Sequence, residues 1–161
     1  MTGIVHIEQA TKEYRLGNVV VRALRGVSLD VAEGEFIAIA GPSGSGKTTL
    51  LNLIGCVDTP TSGSVVVAGE DISKLRDAQL TELRLRAIGF IFQSFNLVNV
   101  LDVFRNIELP LLLQGNLGAT ERKRRVLELL GRVGLSEFTK HKPGELSGGQ
   151  RQRVAIARAL G

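Results

Sequence analysis

Residues 41–48 have the sequence Gly41-Pro42-Ser43-Gly44-Ser45-Gly46-Lys47-Thr48, which matches the pattern G-x-x-x-x-G-K-[ST]. They follow an uninterrupted apolar run, residues 36–40, and precede residues 48–54, whose leucines fit a helix. Glycines allow backbone N–H groups to turn toward one concavity, and the start of a helix adds positive potential there. The order of strand, glycine-rich loop and helix therefore predicts a phosphate-binding loop.

The residues that follow the last glycine of this loop carry separate chemistry. Lys47 is predicted to reach the β- and γ-phosphates of a nucleoside triphosphate, and the Thr48 hydroxyl is predicted to ligate Mg²⁺. A glycine-rich turn without a ligand could match the pattern only by chance, at about one position in ten thousand. The predicted nucleotide-binding residues in this segment are Gly41, Ser43, Gly44, Ser45, Gly46, Lys47, Thr48 and Thr49.

The apolar run before the loop indicates the type of sheet. A strand that is apolar along its whole length is buried on both faces, which is typical of a parallel sheet covered by helices. Residues 89–92 are predicted to be a second short buried strand. The predicted fold class is α/β, with a P-loop NTPase-type parallel sheet flanked by helices. An N-terminal antiparallel β region is predicted from three strand-like segments, residues 4–10, 19–24 and 27–31.

Helical patterns dominate after residue 93 and predict a helical subdomain at residues 94–145. Pro110 is expected to kink or split the first helix of that subdomain. The chain is predicted to be one domain, residues 1–161, in which residues 1–93 form the β region and P-loop core and residues 146–161 follow the helical subdomain. The remaining predicted elements are a strand at residues 64–68 and helices at 77–86, 103–113, 120–133 and 149–160.

A second glycine-rich segment also opens a helix. It has the sequence Leu146-Ser147-Gly148-Gly149-Gln150. Free N–H groups, a hydroxyl and the positive end of a helix could together bind an anion. Ser-Gly-Gly before a helix is equally compatible with an N-cap followed by a flexible hinge. The segment alone leaves both interpretations open.

The composition limits the classes of function. The chain has 161 residues, of which 43% are apolar, enough for one domain with a buried core. Aromatic residues make up 4% and tryptophan is absent, so a base-stacking platform is not expected and no nucleic-acid partner is predicted. The net charge of +4 comes from basic residues after position 120 that fit a solvated helix face. Cys56, the single cysteine, excludes an internal disulfide, and no apolar stretch approaches the roughly 18 residues of a membrane span.

Together the motifs resemble the nucleotide-binding domain of ATP-binding-cassette (ABC) transporters. In this resemblance Gly41–Thr48 is Walker A, Gln93 is the Q-loop glutamine, Leu146–Gln150 is the signature motif and Tyr14 is the aromatic residue that stacks on adenine. The resemblance covers essentially all 161 residues. Within the family, two segments look like the subgroup that serves lipoprotein release, macrolide or peptide efflux and cell division, residues 92–97 and 106–111.

The resemblance implies a mechanism with ATP and Mg²⁺ as cofactors. Two copies would form a head-to-tail homodimer in which ATP on one chain is capped by Ser147, Gly148, Gly149 and Gln150 of the other. Lys47 and Gln93 are implied as catalytic residues, and Thr48 and Gln93 as residues near the metal. From the sequence alone, Gln93 could also be an ordinary loop amide. The dimer would move an integral membrane permease, so a cytoplasmic location, peripheral on the inner face of the membrane, is expected.

The chain departs from the family after the signature helix. No strand that ends in Asp-Glu (Walker B) follows within these residues, and neither the catalytic glutamate nor the switch histidine is present. Asp58 and Asp102 each end an apolar run, but both precede the signature motif and neither is followed by Glu. The expectation is a C-terminally truncated cassette with an incomplete parallel sheet. Alone it is expected to fold poorly or aggregate and to hydrolyse ATP near background.

Two other functions are compatible with part of the pattern. One is a nucleotide-dependent binding fragment that does not hydrolyse ATP. The other is a soluble ABC ATPase of translation or chromosome maintenance, not tied to transport. Chromosome-maintenance relatives have a long coiled coil between the two motifs, whereas about fifty residues without sustained heptads lie between Gln93 and Leu146. Translation factors carry two cassettes per chain. The transporter type is therefore favoured.

Overall fold

The computed structural model of the chain describes residues 3–161. Met1 and Thr2, which belong to the predicted first region, lie outside the described residues. The described part of the chain forms two compact units, one that ends at Arg84 and one that runs from Leu85 to Gly161.

The first unit contains a four-stranded antiparallel sheet. Its strands are β1 (Val5–Leu16), β2 (Val19–Val31), β3 (Ser62–Val67) and β4 (Glu70–Asp71), in the order β2-β1-β3-β4. The predicted antiparallel region is confirmed, and the Gly17-Asn18 turn joins β1 to β2. The two predicted segments 19–24 and 27–31 are one strand, because Gly26, at φ +83°, absorbs an irregularity in its pairing with β1.

The first half of the chain also contains two helices, α1 (Lys47–Ile54) between β2 and β3 and α2 (Asp77–Ala87) after β4. Leu50 and Leu53 of α1 and Leu80 and Leu83 of α2 are buried, as their helical spacing predicts. A short 3₁₀ turn, Ile72–Lys74, follows β4, and Asp71 caps it by accepting a hydrogen bond from the Ser73 N–H.

The second unit is helical. Its helices are α3 (Val103–Gln114), α4 (Ala119–Arg132) and α5 (Gly148–Ala159), with 3₁₀ turns at Ser136–Phe138 and Pro143–Glu145. The predicted helical content is confirmed. The apolar core joins the three helices and includes Val103, Ile107, Leu111, Val126, Leu129, Leu130 and Val154.

Pro110 lies inside α3 without splitting it. A proline lacks the N–H that would bond to the carbonyl four residues earlier, so it weakens a helix at that point. Here Asp102 caps the start of α3 by accepting a hydrogen bond from Arg105 N–H at 2.7 Å, and apolar residues on either side of Pro110 are buried in the core. This packing sustains the helix across the proline.

The two predicted strands of the parallel sheet are not strands in the structure. Residues 36–40 and 89–92 have no strand hydrogen bonding, and among residues 3–161 every strand pairing is antiparallel. Phe36, predicted to be buried, is 95% exposed. A strand needs a hydrogen-bonded neighbour, and neither segment finds one in the described part of the chain. The strand assignment was therefore wrong for these two segments, whereas the predicted α/β fold class, with an antiparallel β region and helices, is confirmed.

Candidate functional site

The glycine-rich loop lies directly before α1, as its sequence predicts. Gly41, Gly44 and Gly46 all have positive φ, at +155°, +78° and +90°. The loop is held by a hydrogen bond from Ser45 N–H to the Pro42 carbonyl, at 3.3 Å. Residues with a Cβ rarely adopt such φ angles, so the glycines allow a backbone conformation that would be unfavourable for other residues.

Gly46 is also required by its surroundings. A Cβ at this position would lie 2.5 Å from the Ala23 carbonyl oxygen and 3.0 Å from a methyl group of Leu24, both on β2. The start of α1 therefore packs against the backbone of the antiparallel sheet. This contact fixes the helix N-terminus and, with it, the end of the loop.

Lys47 reaches back across the loop. Its ammonium group donates hydrogen bonds to the carbonyl oxygens of Gly41 and Pro42, both at 2.8 Å. The Lys47 ammonium group thus lies at the mouth of the loop. There the oxygens of a bound anion could replace the two carbonyl oxygens as its hydrogen-bond partners. No acidic residue occurs in the first turn of α1, which leaves the positive end of the helix uncompensated by its own side chains. The exposed loop, the cation and the helix end together can bind a phosphate chain.

Tyr14 lies next to α1. Its hydroxyl donates a hydrogen bond to Asp58 Oδ2 at 2.9 Å, and the Thr49 side chain on α1 influences its pKa. Burial raises the pKa of the Tyr14 hydroxyl, the Asp58 bond raises it further, and the Thr49 side chain partly offsets the increase. The structure thus brings together two residues of the predicted nucleotide site, Tyr14 and Thr49.

Asp58 and Lys12 are part of this arrangement, and the sequence analysis did not identify them. Lys12 Nζ lies 2.5 Å from Asp58 Oδ1, and its charge sits 5.2 Å from the centre of the Tyr14 ring. The sequence contains one signal that links Lys12 to Tyr14. The two residues are two positions apart on a strand, so their side chains face the same side of the sheet. Their link to Asp58 depends on a contact 44 residues along the chain from Tyr14, which no local pattern reveals.

Gln93 lies in an exposed loop of the second unit. The loop makes two tight turns in which Phe95 N–H bonds to the Phe92 carbonyl at 2.9 Å and Asn96 N–H bonds to the Ser94 carbonyl at 2.7 Å. Phe95 and Asn96 both have positive φ, at +62° and +43°. Such angles are unfavourable for residues with a Cβ, so tertiary contacts must hold this loop.

Arg158 of α5 supplies those contacts. Its two terminal nitrogens donate hydrogen bonds to the carbonyls of Phe95 and Asn96, each at 2.7 Å. Burial lowers the pKa of the Arg158 guanidinium. The helix that begins with the second glycine-rich segment is therefore tied at its far end to the loop that contains Gln93.

The second glycine-rich segment starts α5 through a capping box. The Ser147 hydroxyl accepts a hydrogen bond from Gln150 N–H at 3.3 Å, and Gln150 Oε1 accepts one from Ser147 N–H at 2.7 Å. The N-cap interpretation of Ser147 is thus confirmed. Ser147, Gly148 and Gly149 are exposed.

The structure of the described chain does not require glycine at position 148 or 149. Both have ordinary φ values, a Cβ on Gly148 would meet no described atom within 4 Å, and a Cβ on Gly149 would come no closer than 3.9 Å, to the Arg153 side chain. Glycine is a poorer helix former than alanine. At the first two positions of α5, the two glycines therefore bring neither helix propensity nor a packing gain inside residues 3–161.

The described part of the chain holds neither a metal-binding cluster nor a membrane-spanning helix. No group of three or more His, Cys, Asp or Glu side chains is placed to hold a metal ion there. No helix among residues 3–161 is both long and apolar enough to cross a membrane.

Comparison with known proteins identifies a family and several relatives. The family described as ABC transporter matches residues 24–161. An uncharacterized ABC transporter ATP-binding protein of Thermotoga maritima is 52% identical over 160 residues, which cover 99% of this chain and 68% of that protein. The macrolide export ATP-binding/permease protein MacB of Hyphomonas neptunium is 47% identical over 157 residues, which cover 98% of this chain and 24% of MacB.

A solved structure matches most of the chain closely. The dimeric, post-hydrolysis state of the ATP-binding cassette MJ0796, bound to ADP and Pi, superposes with a TM-score of 0.89 at 48% identity. The match covers 97% of this chain and 68% of that one. MJ0796 is a protein of Methanocaldococcus jannaschii.

Proposed function

The chain belongs to the ABC transporter family, as an ATP-binding subunit, and from that premise we propose how its own residues bind and use the nucleotide. ATP binds at residues 41–49, and two copies close head to tail around it to drive a membrane permease. The observation that carries this proposal is the loop before α1, with three positive-φ glycines, Lys47 across its mouth and an uncompensated helix N-terminus.

When the nucleotide binds, the Lys47 ammonium group changes its hydrogen-bond partners. The Lys47 ammonium leaves the carbonyls of Gly41 and Pro42, to which it is bonded at 2.8 Å, and bonds to the β- and γ-phosphates. The loop N–H groups and the start of α1 hold the phosphate chain, and Tyr14 stacks on the adenine. The exchange keeps the ammonium group hydrogen-bonded in both states, so the free loop is already close to its binding conformation.

Mg²⁺ accompanies the nucleotide in this proposal. The exposed Thr48 hydroxyl at the start of α1 would hold it, with Gln93 near the metal and the attacking water. Mg²⁺ takes most of its ligands from phosphate and water in sites of this type. The metal would neutralise charge that develops on the transferred phosphoryl group.

The second copy supplies the other half of the site. Ser147, Gly148, Gly149 and Gln150 of one chain approach the γ-phosphate held by the other. The two glycines support this proposal, since they bring neither helix propensity nor a packing gain to α5 within the described chain. Close approach of a phosphate to backbone N–H groups is a use that requires the absence of side chains. ATP contacts both chains and ADP contacts one, so ATP favours the closed dimer.

Relatives support a permease as the partner of that dimer. MacB is named as an ATP-binding/permease protein, and the structure of MJ0796 is dimeric. We therefore place the chain at the cytoplasmic face of the membrane, held there through a permease, and assign it to the lipoprotein-release and macrolide-efflux type. No nucleic acid takes part in this function.

Hydrolysis requires groups that these 161 residues do not contain. The family is one of ATPases, and a general base for the attacking water is part of such chemistry. We propose that residues 1–161 form one nucleotide-binding domain, with a helical subdomain at 94–145, that binds ATP but hydrolyses it near background. Robust turnover by the chain alone would contradict this part of the proposal.

The first test is titration of the purified chain with a fluorescent ATP analogue plus Mg²⁺. We expect saturable binding by the wild type and loss of at least about 2 kcal/mol, or some thirtyfold, in Lys47→Ala, because a charge-assisted contact to phosphate is removed. Lys123→Ala is the matched control, since Lys123 is an exposed lysine on α4. Equal binding by Lys47→Ala and the wild type would refute the assignment of the loop.

A second test examines the dimer. Gly149→Ala introduces no steric conflict within the chain, so it should leave the fold intact or slightly strengthen α5. If Gly149 faces the phosphate of a second copy, the same change should reduce dimer formation with Mg-ATP in sedimentation velocity. Gly144→Ala is the control, because Gly144 is exposed and a Cβ there meets no described atom within 4 Å. ATP-dependent dimerisation that survives Gly149→Ala unchanged would exclude this role.

A further inference from the structure

The hydroxyl of Tyr14 is held by Asp58. It donates a hydrogen bond to Asp58 Oδ2 at 2.9 Å, and the Thr49 side chain on α1 lowers its pKa against the effects of burial and Asp58. Asp58 lies in the loop that follows α1. A tyrosine ring has two side-chain torsions, and anchoring its far end removes most of the freedom in both.

Asp58 is itself held in place. Its Oδ1 accepts hydrogen bonds from Lys12 Nζ at 2.5 Å and from Thr59 N–H at 2.7 Å. Lys12 also donates to the Thr59 carbonyl at 2.7 Å. The side chains of Lys12 and Asp58 are only 12% and 27% exposed. The carboxylate therefore presents Oδ2 to Tyr14 from a fixed position.

Lys12 has a second contact, with the ring itself. Its ammonium group lies over the Tyr14 ring, 5.2 Å from the centre. That distance is within the range of a cation–π interaction. With one face of the ring occupied by a cation, a planar ligand can stack only on the opposite face.

A contribution to stability does not by itself explain why the Lys12–Asp58 pair also contacts Tyr14. A partly buried ion pair often contributes no more to stability than apolar residues of similar size. Rigid placement of a binding group, in contrast, lowers the cost of ordering it when a ligand arrives. We propose that Asp58 and Lys12 are positioning residues that hold the Tyr14 ring for stacking on the base of the bound nucleotide. This inference rests on the proposed function, since it takes the phosphate chain to lie on the loop before α1.

The test compares two probes, Mg-ATP and inorganic triphosphate. Both engage the phosphate loop, but only ATP has a base. We expect Tyr14→Phe, which removes the hydroxyl and keeps the ring, and Asp58→Ala each to weaken ATP binding about fivefold, the effect of losing one positioned hydrogen bond. Triphosphate affinity should stay within about twofold of wild type, because its contacts are untouched. The double variant should lose no more than either single one, since both remove the same bond.

Glu13→Gln is the matched control. Glu13 is adjacent to Tyr14 on β1 and pairs with Arg22 at 2.9 Å, away from the Asp58 carboxylate. This variant should bind both probes as the wild type does. Far-ultraviolet circular dichroism checks that each variant is folded, and Tyr14→Phe carries the test if Asp58→Ala does not fold.

The sole tyrosine also gives a direct signal. The chain has one tyrosine and no tryptophan, so its intrinsic emission comes from Tyr14 alone. We expect ATP to change that emission and triphosphate to leave it unchanged. An unchanged ATP affinity in folded Tyr14→Phe and Asp58→Ala, or an equal loss for both probes, would overturn the inference while leaving the phosphate loop assigned. A wild-type chain that binds neither probe would overturn the proposed function and this inference with it.

Discussion

Burial alone would raise the pKa of the Asp58 carboxyl, but hydrogen bonds from Lys12, Tyr14 and the Thr59 N–H outweigh burial and lower it. A carboxyl whose pKa is lower in the folded than in the unfolded state stabilises the fold above the unfolded pKa. This stabilisation is lost as the pH falls through the folded value. At the residue scale, Asp58 therefore links the site to the acid stability of the first unit.

Acid unfolding tests this link. The free energy of unfolding of the wild type should fall as the pH drops below about 4, where the unfolded-state carboxyl begins to be protonated. Asp58→Asn should be less stable at neutral pH by about 1 kcal/mol and should show a shallower fall in acid. Urea unfolding at a series of pH values measures both. A pH dependence equal to that of the wild type would show that Asp58 is not the linked group.

Tyr14 gives a second prediction at this scale. Its pKa is raised above 10.0, first by burial and then by the Asp58 hydrogen bond. The ultraviolet absorbance of tyrosinate reports this single residue directly, because the chain has no other tyrosine. The wild-type midpoint should lie above that of free tyrosine. In Asp58→Ala it should fall only part of the way back, since burial remains. A midpoint at the ordinary value in the wild type would contradict the Asp58 contact.

These residues also show which parts of the site a sequence can predict. Lys47 and the glycines before it are a contiguous motif, and the backbone angles that they need are properties of single residues. The sequence did not reveal the partners of Asp58. They lie on β1, 44 and 46 residues away in sequence, and only the folded chain brings them together.

At the scale of elements, helices were predicted well because their signals are local. Ser147 with Gln150 at α5 and Asp102 at α3 are caps that define helix starts within four residues. Pro110 is the exception, since its local effect was expected to interrupt α3. Buried residues before and after it, Ile107 and Leu111, keep the helix continuous through tertiary packing.

Arg158 connects α5 to the loop that contains Gln93. Its two hydrogen bonds hold the carbonyls of Phe95 and Asn96, whose positive φ angles would otherwise be unfavourable. Arg158→Met keeps much of the aliphatic stem and removes the donors. We expect a loss of about 1–2 kcal/mol in unfolding free energy.

The location of the change distinguishes this role from general destabilisation. Hydrogen–deuterium exchange in Arg158→Met should speed up at residues 92–96 before it does in α3 or α4, because the loop opens locally. Arg153→Met, at an exposed arginine of the same helix, should exchange as the wild type does. Uniformly faster exchange across the second unit would indicate that Arg158 supports the helical core rather than the loop.

At the scale of the whole molecule, the apolar pattern of residues 36–40 predicts a strand buried on both faces, but the structure leaves this segment outside the sheet. Burial, however, requires neighbours on both sides, which are contacts between segments far apart in sequence. Among residues 3–161, β1 pairs with its hairpin partner β2 and with the sequence-distant strand β3, whereas residues 36–40 and 89–92 pair with no strand.

Exposed apolar residues in an unpaired segment should make the chain associate with itself. Phe36 is 95% exposed, and its neighbours have backbone groups outside any sheet, so both apolar surface and free hydrogen-bonding groups are available there. Burying one phenylalanine contributes about 1.5–3 kcal/mol. Phe36→Asp should therefore weaken nucleotide-free association by about tenfold or more, measured by sedimentation velocity.

The variant Leu16→Asp tests whether self-association depends on an exposed apolar side chain or on backbone groups outside a sheet. Leu16 is 67% exposed, but it lies on β1 and pairs with Val19 of β2. If association needs free strand edges, Leu16→Asp should change it little, because its backbone is already paired. If both substitutions reduced self-association equally, exposed apolar area alone would drive it. A monodisperse wild-type monomer with cooperative unfolding would show that residues 36–40 are tolerated in water, and the unpaired segment would not limit the stability of this chain.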